Sequence, residues 1–447
     1  MSGPKVVRVV TREERLAAAR TALARLDNAT RAWTGQGRDE TETNATRARR
    51  DALAAALNGN DLAGVAERID AETAFLRNAI EKRRQDAIEA KAAALQQARQ
   101  LRANAQALLR ELAAKGVGDA SLDTALRRVQ AGECSAEDAG RIVREAIGKL
   151  VVPAAAAVLD ERQRRIAERL RAAEEPAVHA IWQAPADPRE QRLRRIEQRL
   201  AELSGLLGDT AAAAFAQRLH ALESAPADAR GNLLADSLIA DLQAAVEQAR
   251  QTAALARAAQ DLLAEIESAD AVGSLSTHVD ALRRAIATGA AAALRDALEA
   301  AGAAWKTHGM QQAAQARRAA ILGGLAALGY EVHEGMNTAL ARQGRIVLKK
   351  PAMTGFGVEI AGAGDAARLQ VRAVAFEPSP DSRRDRDAET SWCADFHRLE
   401  AMLAQQGDGV AVEKALAIGA TPLKVVEAAA GSPAAIGPMS RDAPHLR

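Results

Sequence analysis

The sequence predicts a mostly α-helical protein: long antiparallel, coiled-coil-like helices followed by a small C-terminal α/β domain in which an antiparallel sheet is flanked by helices. Three observations carry this. Alanine supplies 111 of the 447 residues while aromatics make up only 2%, too few large side chains to fill thick globular cores. Alanine combined with 26% charged residues is the composition of closely packed helices. Strand-like segments, finally, occur only near the N-terminus and after residue 330. An all-β fold is excluded, and a large α/β enzyme is disfavoured.

In chain order, Lys5–Val10 is a β-branched run (Lys-Val-Val-Arg-Val-Val). A lone strand leaves its backbone groups unpaired. It is therefore expected to add an edge strand to the sheet of residues 330–376, which requires the helical body to fold back on itself. The alternatives are an N-terminal leader or strand addition to a second protein. Thr11 to Glu14 matches a capping box, with Thr11 capping a backbone N–H and Glu14 reaching back. The helix it opens runs to about Trp33 and ends at Gly35-Gln-Gly37. A second helix spans Thr46 to Leu57.

From Asp61 to Lys115 there is no proline, and the one glycine, Gly64, sits in the first turn. At 1.5 Å per residue this is a helix roughly 80 Å long. Leu62, Val65, Ile69, Leu76 and Ile80 begin an apolar stripe, and Ala87, Ala94, Leu101 and Leu108 continue it at seven-residue steps, flanked by Ile88 and Leu95. The four-residue step from Leu76 to Ile80 is a stutter. Gly116 and Gly118 close the helix. Shorter helices follow at about 121–131, 136–150 and 153–175.

Pro176, Pro185 and Pro188 break the chain in its middle. Asp187-Pro188 reads as a helix start, with Asp as cap and Pro at the first position. A long helix covers about Asp228–Ala269, and others continue to Leu328. Gly329 looks like a helix C-cap, and Tyr330–Val332 begins extended structure. Arg345–Lys349, Phe356–Ile360 and Leu369–Phe376 are strand candidates, the last two joined by a hairpin at Gly362–Asp365. Alternation puts Leu369, Val371, Ala373 and Ala375 on one face. A helix from about Ala388 to Gln406 offers Trp392, Phe396, Leu399 and Leu403 to that face. The expected organisation is a strand or leader at 1–10, helical regions at 11–185 and 186–328, a compact α/β domain at 329–430, and a disordered tail at 431–447.

Several functional classes are weakened by composition. The 60 basic and 58 acidic residues give a net charge of +2, so no global bias toward nucleic acid or membrane exists. Residues 330–427 hold 12 basic and 14 acidic side chains, which argues against nucleic acid at the compact domain. The longest apolar run, Leu150–Leu159, is ten residues and contains Pro153, far short of a membrane span. Two cysteines 259 positions apart give no disulfide framework, as in a reducing cytoplasm. With 50 Arg against 10 Lys, alanine-rich coding suggests a bacterial source. No phosphate-binding loop or zinc-protease helix is present; His333-Glu334 lacks a second histidine.

The candidate reactive pair is Cys393 and His397, four residues apart on one helix face, where a thiolate beside an imidazole would be a nucleophile or half a metal site. Against this, Cys393 reads as small filler beside the Trp392/Phe396 stripe, with His397 at its solvent edge, since free cysteine is among the most buried residue types. Arg383, Arg384 and Arg386, in a charged loop before that helix, are candidates for binding a partner's carboxylates or phosphates. No cofactor or metal is expected. The leading expectation is a cytoplasmic scaffold or adaptor that assembles or spaces partner proteins and self-associates through its long helices. The alternatives are a small-molecule-binding or enzymatic C-terminal domain using Cys393 and His397, and a nucleic-acid-associated coiled coil.

Overall fold

The computed structural model describes residues 4–37, 39–59, 61–116, 119–150, 161–162, 164–165, 187–226, 228–363, 365–378 and 382–426. Within these the protein is mostly helical, with a small C-terminal sheet-plus-helix region. In chain order the elements are β1 (Lys5–Val10), α1 (Arg12–Thr34), α2 (Glu40–Ala56), α3 (Leu62–Lys115), α4 (Ala120–Gln130), α5 (Ala136–Leu150), α6 (Pro188–Leu207), α7 (Asp209–Ser224) and α8 (Ala229–Ser268). There follow α9 (Ser276–Thr288), α10 (Ala291–Ala327), α11 (Met336–Gln343), β2 (Arg345–Lys349), β3 (Phe356–Gly362), β4 (Arg368–Ala375), α12 (Ser382–Gln405), β5 (Gly409–Ala415) and β6 (Lys424–Val425). Of the expected helix at 153–175 only residues 161–162 and 164–165 are described, and they are helical; the expected tail at 431–447 lies outside the described residues. Among the described residues no helix is long and apolar enough to cross a membrane.

Two compact units emerge, one drawn from Met1–Asn78 and Leu255–Arg447, the other from Ala79–Ala254. The elements among the described residues of the second unit are all helices. Leu193, Ile196, Leu200 and Leu203 of α6 pack with Leu219 of α7 and Leu238 and Leu242 of α8. A second cluster joins Leu108 and Leu112 of α3 to Leu122 and Leu126 of α4 and Val143 of α5. Asp187 caps α6 through a 2.9 Å bond from the Arg189 N–H, with Pro188 in the first turn. The stripe on α3 differs from expectation. Ala87 and Ala94 are exposed, whereas Ile88 and Leu95 turn inward. Alanine buries so little area that its larger neighbours decide the inward face.

Arg99 also points inward from α3, giving Nε to Glu197 at 2.7 Å and both Nη atoms to Glu190 at 2.8 Å. Burial pushes the Glu197 carboxyl up despite that guanidinium, and its Oε2 has no partner among the described residues. A bidentate arginine at the centre of a thin alanine-rich core offsets desolvation through geometry.

In the first unit, Arg25 of α1 bridges Asp70 of α3 and Glu265 of α8 at 3.2 and 3.0 Å. Ile266 of α8, Val279 and Leu282 of α9 and Leu294 of α10 form the helical core. Thr11 caps α1 through the Glu14 N–H at 3.2 Å. Glu14 does not reach back, however; its carboxylate pairs with Arg317 of α10. The Arg12 N–H is taken instead by Asp408 Oδ1 at 2.7 Å.

The sheet runs in the order β2-β3-β4-β1-β5, and β6 pairs with the far end of β4. β1 is thus not an edge strand, as expected, but an interior one, antiparallel to both β4 and β5. The difference arises from β5, which the sequence reading passed over and which covers the second side of β1. Val7 and Val9 are essentially inaccessible and join Leu348, Val358, Ile360 and Val371 beneath α10 and α12. Tyr330–Val332, where extended structure was expected, belong to no strand, although the Glu331 N–H donates to the Lys349 carbonyl at 2.8 Å; the short helix α11 follows. α12 begins at Ser382, six residues earlier than the apolar stripe implies. Helix α10 approaches α12 so closely that a Cβ at Gly324 would lie 2.3 Å from Leu399 Cδ1.

Two outcomes test this packing. Val7→Asp should destabilise the sheet region by about 3–5 kcal/mol, since it buries an unpaired carboxylate between two strands; denaturant titration measures it, and a loss below about 1 kcal/mol would contradict an interior β1. Gly324→Ala should lower the same transition by about 1–3 kcal/mol through overpacking against Leu399.

Candidate functional site

Helix α12 brings most of the chemistry of the sheet region together. Its buried face carries Trp392, Phe396, Leu399 and Leu403. Trp392 stands edge-on to Tyr330 with ring centroids 6.1 Å apart and meets Phe396 at 5.9 Å. The tryptophan Nε1–H is buried with no acceptor among the described residues.

Two polar groups sit within this apolar layer. Asp395 has no exposed surface, and accepts hydrogen bonds from Tyr330 Oη at 2.8 Å, Lys350 Nζ at 2.6 Å and Arg398 Nη2 at 2.8 Å. Three donors, two of them cationic, supply the hydrogen bonds that a buried carboxylate requires. Burial, and then the hydrogen bond to Asp395, push the Tyr330 hydroxyl well above its ordinary range. Lys5, only 2% exposed, directs Nζ at Cys393 Sγ at 3.0 Å and lies 5.0 Å from the Phe396 ring centroid. An ammonium is thus held by a ring face and a polarisable sulfur.

The sequence-derived candidates are placed differently from one another. Cys393 is buried beside Lys5, while the His397 side chain is 71% exposed and faces Glu400 at 3.6 Å. Shared helix spacing thus leaves the thiol and the imidazole in separate surroundings. Arg383, Arg384 and Arg386 are exposed on the opening turns of α12, and the Arg386 side chain lies over Gly419. His333 is in the loop before α11, its N–H directed at Met336 Sδ. Among the described residues no group of three or more metal-ligating side chains converges.

The sheet face opposite α12 carries a second buried carboxylate. Glu359 of β3 is 2% exposed and bound by Arg372 of β4 and by Lys424 of β6. Burial opposes its ionisation, yet the hydrogen bonds from Lys424 and Arg372 outweigh that and hold its carboxyl below the ordinary range. The sequence offered no signal for this cluster, because Lys424 falls in a two-residue strand without apolar alternation. Within the same unit, an open groove of about 970 Å³ runs along α1 and α10, lined by Glu14, Arg20, Trp305, Lys306 and His308 among others. Trp305 and His308 stack at 5.8 Å, and the indole N–H bonds Glu265 at 3.2 Å.

Comparison with known proteins gives no match to a protein-family model, to a curated protein or to a solved structure.

Asp395→Asn should cost about 3 kcal/mol of stability, because it leaves the largely enclosed Lys350 ammonium without a charged acceptor; a melting transition like the wild type's would show the network to be dispensable. Glu359 gives a pH signature. Its folded pKa lies below the unfolded value, so its stabilisation is complete above the ordinary carboxyl range near 4 and fades as pH falls below it. The acid limb of a stability–pH curve should therefore be shallower in Glu359→Gln. Cys393→Ser should be mildly destabilising, by about 1 kcal/mol.

Proposed function

We propose that the protein is a scaffold or adaptor whose long helices, paired in coiled-coil fashion, space partner proteins, and whose C-terminal sheet-plus-helix region binds one of them. One observation supports it most directly: β5 ends the sheet and pairs only with β1 among the described residues. Along and after it, Val412 is 42% exposed, and Ile418 and Val425 are exposed as well. A free strand edge with apolar side chains accepts an extended segment through main-chain hydrogen bonds. Arg383, Arg384 and Arg386, with Arg386 folded over Gly419 in the β5–β6 connection, supply charge at the border of this strip. Such guanidinium groups select acidic or phosphorylated flanks of a docking segment.

The arginine- and alanine-rich composition and the two cysteines, which form no disulfide, support a bacterial cytoplasm, where thiols stay reduced, as the setting of this activity. Self-association through the long helices adds copies of the docking edge and so raises avidity.

The test is co-purification from the native host at physiological salt, comparing wild type with Val412→Lys/Ile418→Lys and with Arg383→Glu/Arg384→Glu. A partner retained by the wild type should be lost from the first variant and weakened in the second, with helicity and melting unchanged. Equal retention by all three would remove β5 and the arginines from the docking role.

A further inference from the structure

We propose that the sheet face opposite α12 binds single-stranded nucleic acid through its phosphates. This goes beyond the adaptor reading and stands if that reading fails, because it concerns the open face of the sheet and not its β5 edge.

The inference begins with how the strands sort charge. Segment 330–427 is slightly acidic in total, but alternation sends the basic residues on its strands to one side of the sheet. Core-facing positions are Ile346 and Leu348, Val358 and Ile360, Leu369 and Val371, and Val7 and Val9. The positions between them face outward, and helices α10, α11 and α12 all pack on the inner side.

The outer face holds three bases that already have carboxylates: Arg368 with Glu413, and Arg372 and Lys424 with Glu359. Four more, Arg8, Arg345, Lys349 and Lys414, have no carboxylate partner among the described residues, and all four are exposed. Lys349 meets only the Phe376 ring, 5.3 Å from its centroid. Seven bases thus share the face with two carboxylates. Register makes the surplus sharper, since Arg8 of β1 lies directly opposite Arg368 of β4. Like charges directly opposite in a sheet are destabilising; Glu413 already pairs with Arg368, which leaves Arg8 as the member of the pair that an added anion would meet.

The chemistry of the face selects the occupant. Protein interfaces depend on a central apolar or aromatic anchor. Here the outward apolar residues Val6, Val10 and Val347 are half-buried aliphatics, Val374 has no exposed surface, and the aromatic ring of Phe376 is half-buried just past the end of β4 and so is not central. Phosphodiester binding needs no such anchor, since it is driven by cations releasing counterions. The Phe376 ring lies over the backbone of Gly357, where an added Cβ would meet it at 2.7 Å, so the face also carries one aromatic surface of the kind on which bases stack. Duplex readers insert a helix or ribbon into a groove. This face, roughly 19 Å across its five strands, has no such projection, whereas a flexible single strand can lie along it.

The test uses the full chain and a short fluorescein-labelled oligouridylate, followed by anisotropy across a salt series. Binding should weaken with a log–log slope of about −3, as four or five phosphate contacts would give. Arg8→Glu/Lys414→Glu should reduce affinity at 0.1 M salt by about tenfold or more. Arg110→Glu/Arg127→Glu, which makes the same charge change on exposed positions of α3 and α4, should bind like wild type. Melting curves confirm that each variant is folded, and Arg8→Gln/Lys414→Gln replaces the first variant if reversal unfolds it. Absence of binding at low salt, equal loss in the α3/α4 control, or equal affinity for a duplex of the same length would each overturn the proposal. Displacement by poly-glutamate as effective, per charge, as by unlabelled oligouridylate would overturn it in favour of an acidic protein.

Discussion

The sheet region depends on one constraint: a six-residue strand from the beginning of the chain must satisfy its backbone between two strands from the end. β1 exchanges hydrogen bonds with β4 on one side and β5 on the other. Without it, both of those strands would present unpaired amides at the middle of the sheet, and the pocket holding Val7 and Val9 would open beneath Trp392 and Phe396. Neighbouring contacts reinforce the insertion. Asp408 takes the first free N–H of α1, Arg15 donates to the Gly407 carbonyl, and Arg317 of α10 grips Glu14. The first helix is thereby fixed to the turn between α12 and β5 as soon as the strand is seated.

Burial of charge follows one rule in both units. Arg99 with Glu190 and Glu197, Asp395 with Lys350 and Arg398, and Glu359 with Arg372 and Lys424 are each held by more than one partner. A lone buried ion pair rarely recovers its desolvation cost; a second donor or a bidentate fork makes the burial tolerable. In a chain a quarter of whose residues are alanine, such clusters give the thin interfaces between helices a specific register that methyl groups alone do not impose. Lys5 departs from the rule. It is stabilised by the sulfur of Cys393 and the ring of Phe396, contacts that tie strand β1 to helix α12.

Much of the helical architecture was legible because it is local. Thr11, Asp187-Pro188 and Gly329 each act through neighbours within five residues, and each marks a boundary in the structure. Strands β2, β3 and β4 show period-two alternation and were found within two residues. What was hidden depends on distance in sequence. β5 reads Gly-Val-Ala-Val-Glu-Lys-Ala, too small and too polar to announce burial, yet its presence turns β1 from an edge into an interior strand. Cys393 and His397 shared the spacing of a reactive pair, but spacing says only that two side chains lie on one helix flank. The neighbouring sheet decides that the first is enclosed and the second wet. The basic face was missed for a related reason. Net charge over a segment averages across both sides of a sheet, whereas alternation and strand pairing separate them.

The insertion of β1 also sets a schedule. During synthesis at about 5–20 residues per second, the valine strand emerges roughly 20–80 s before β5 is complete. The helices between them can form from local contacts within that interval. β1 cannot, because both of its pairing partners belong to the last part of the described chain. A strand of four valines is thus held in waiting while the residues between it and β5 are made, and Arg8 and Lys5 within it are its protection against premature association. Completion of the sheet therefore waits for β5, and a chain truncated before β5 would retain its helices but leave this strand exposed.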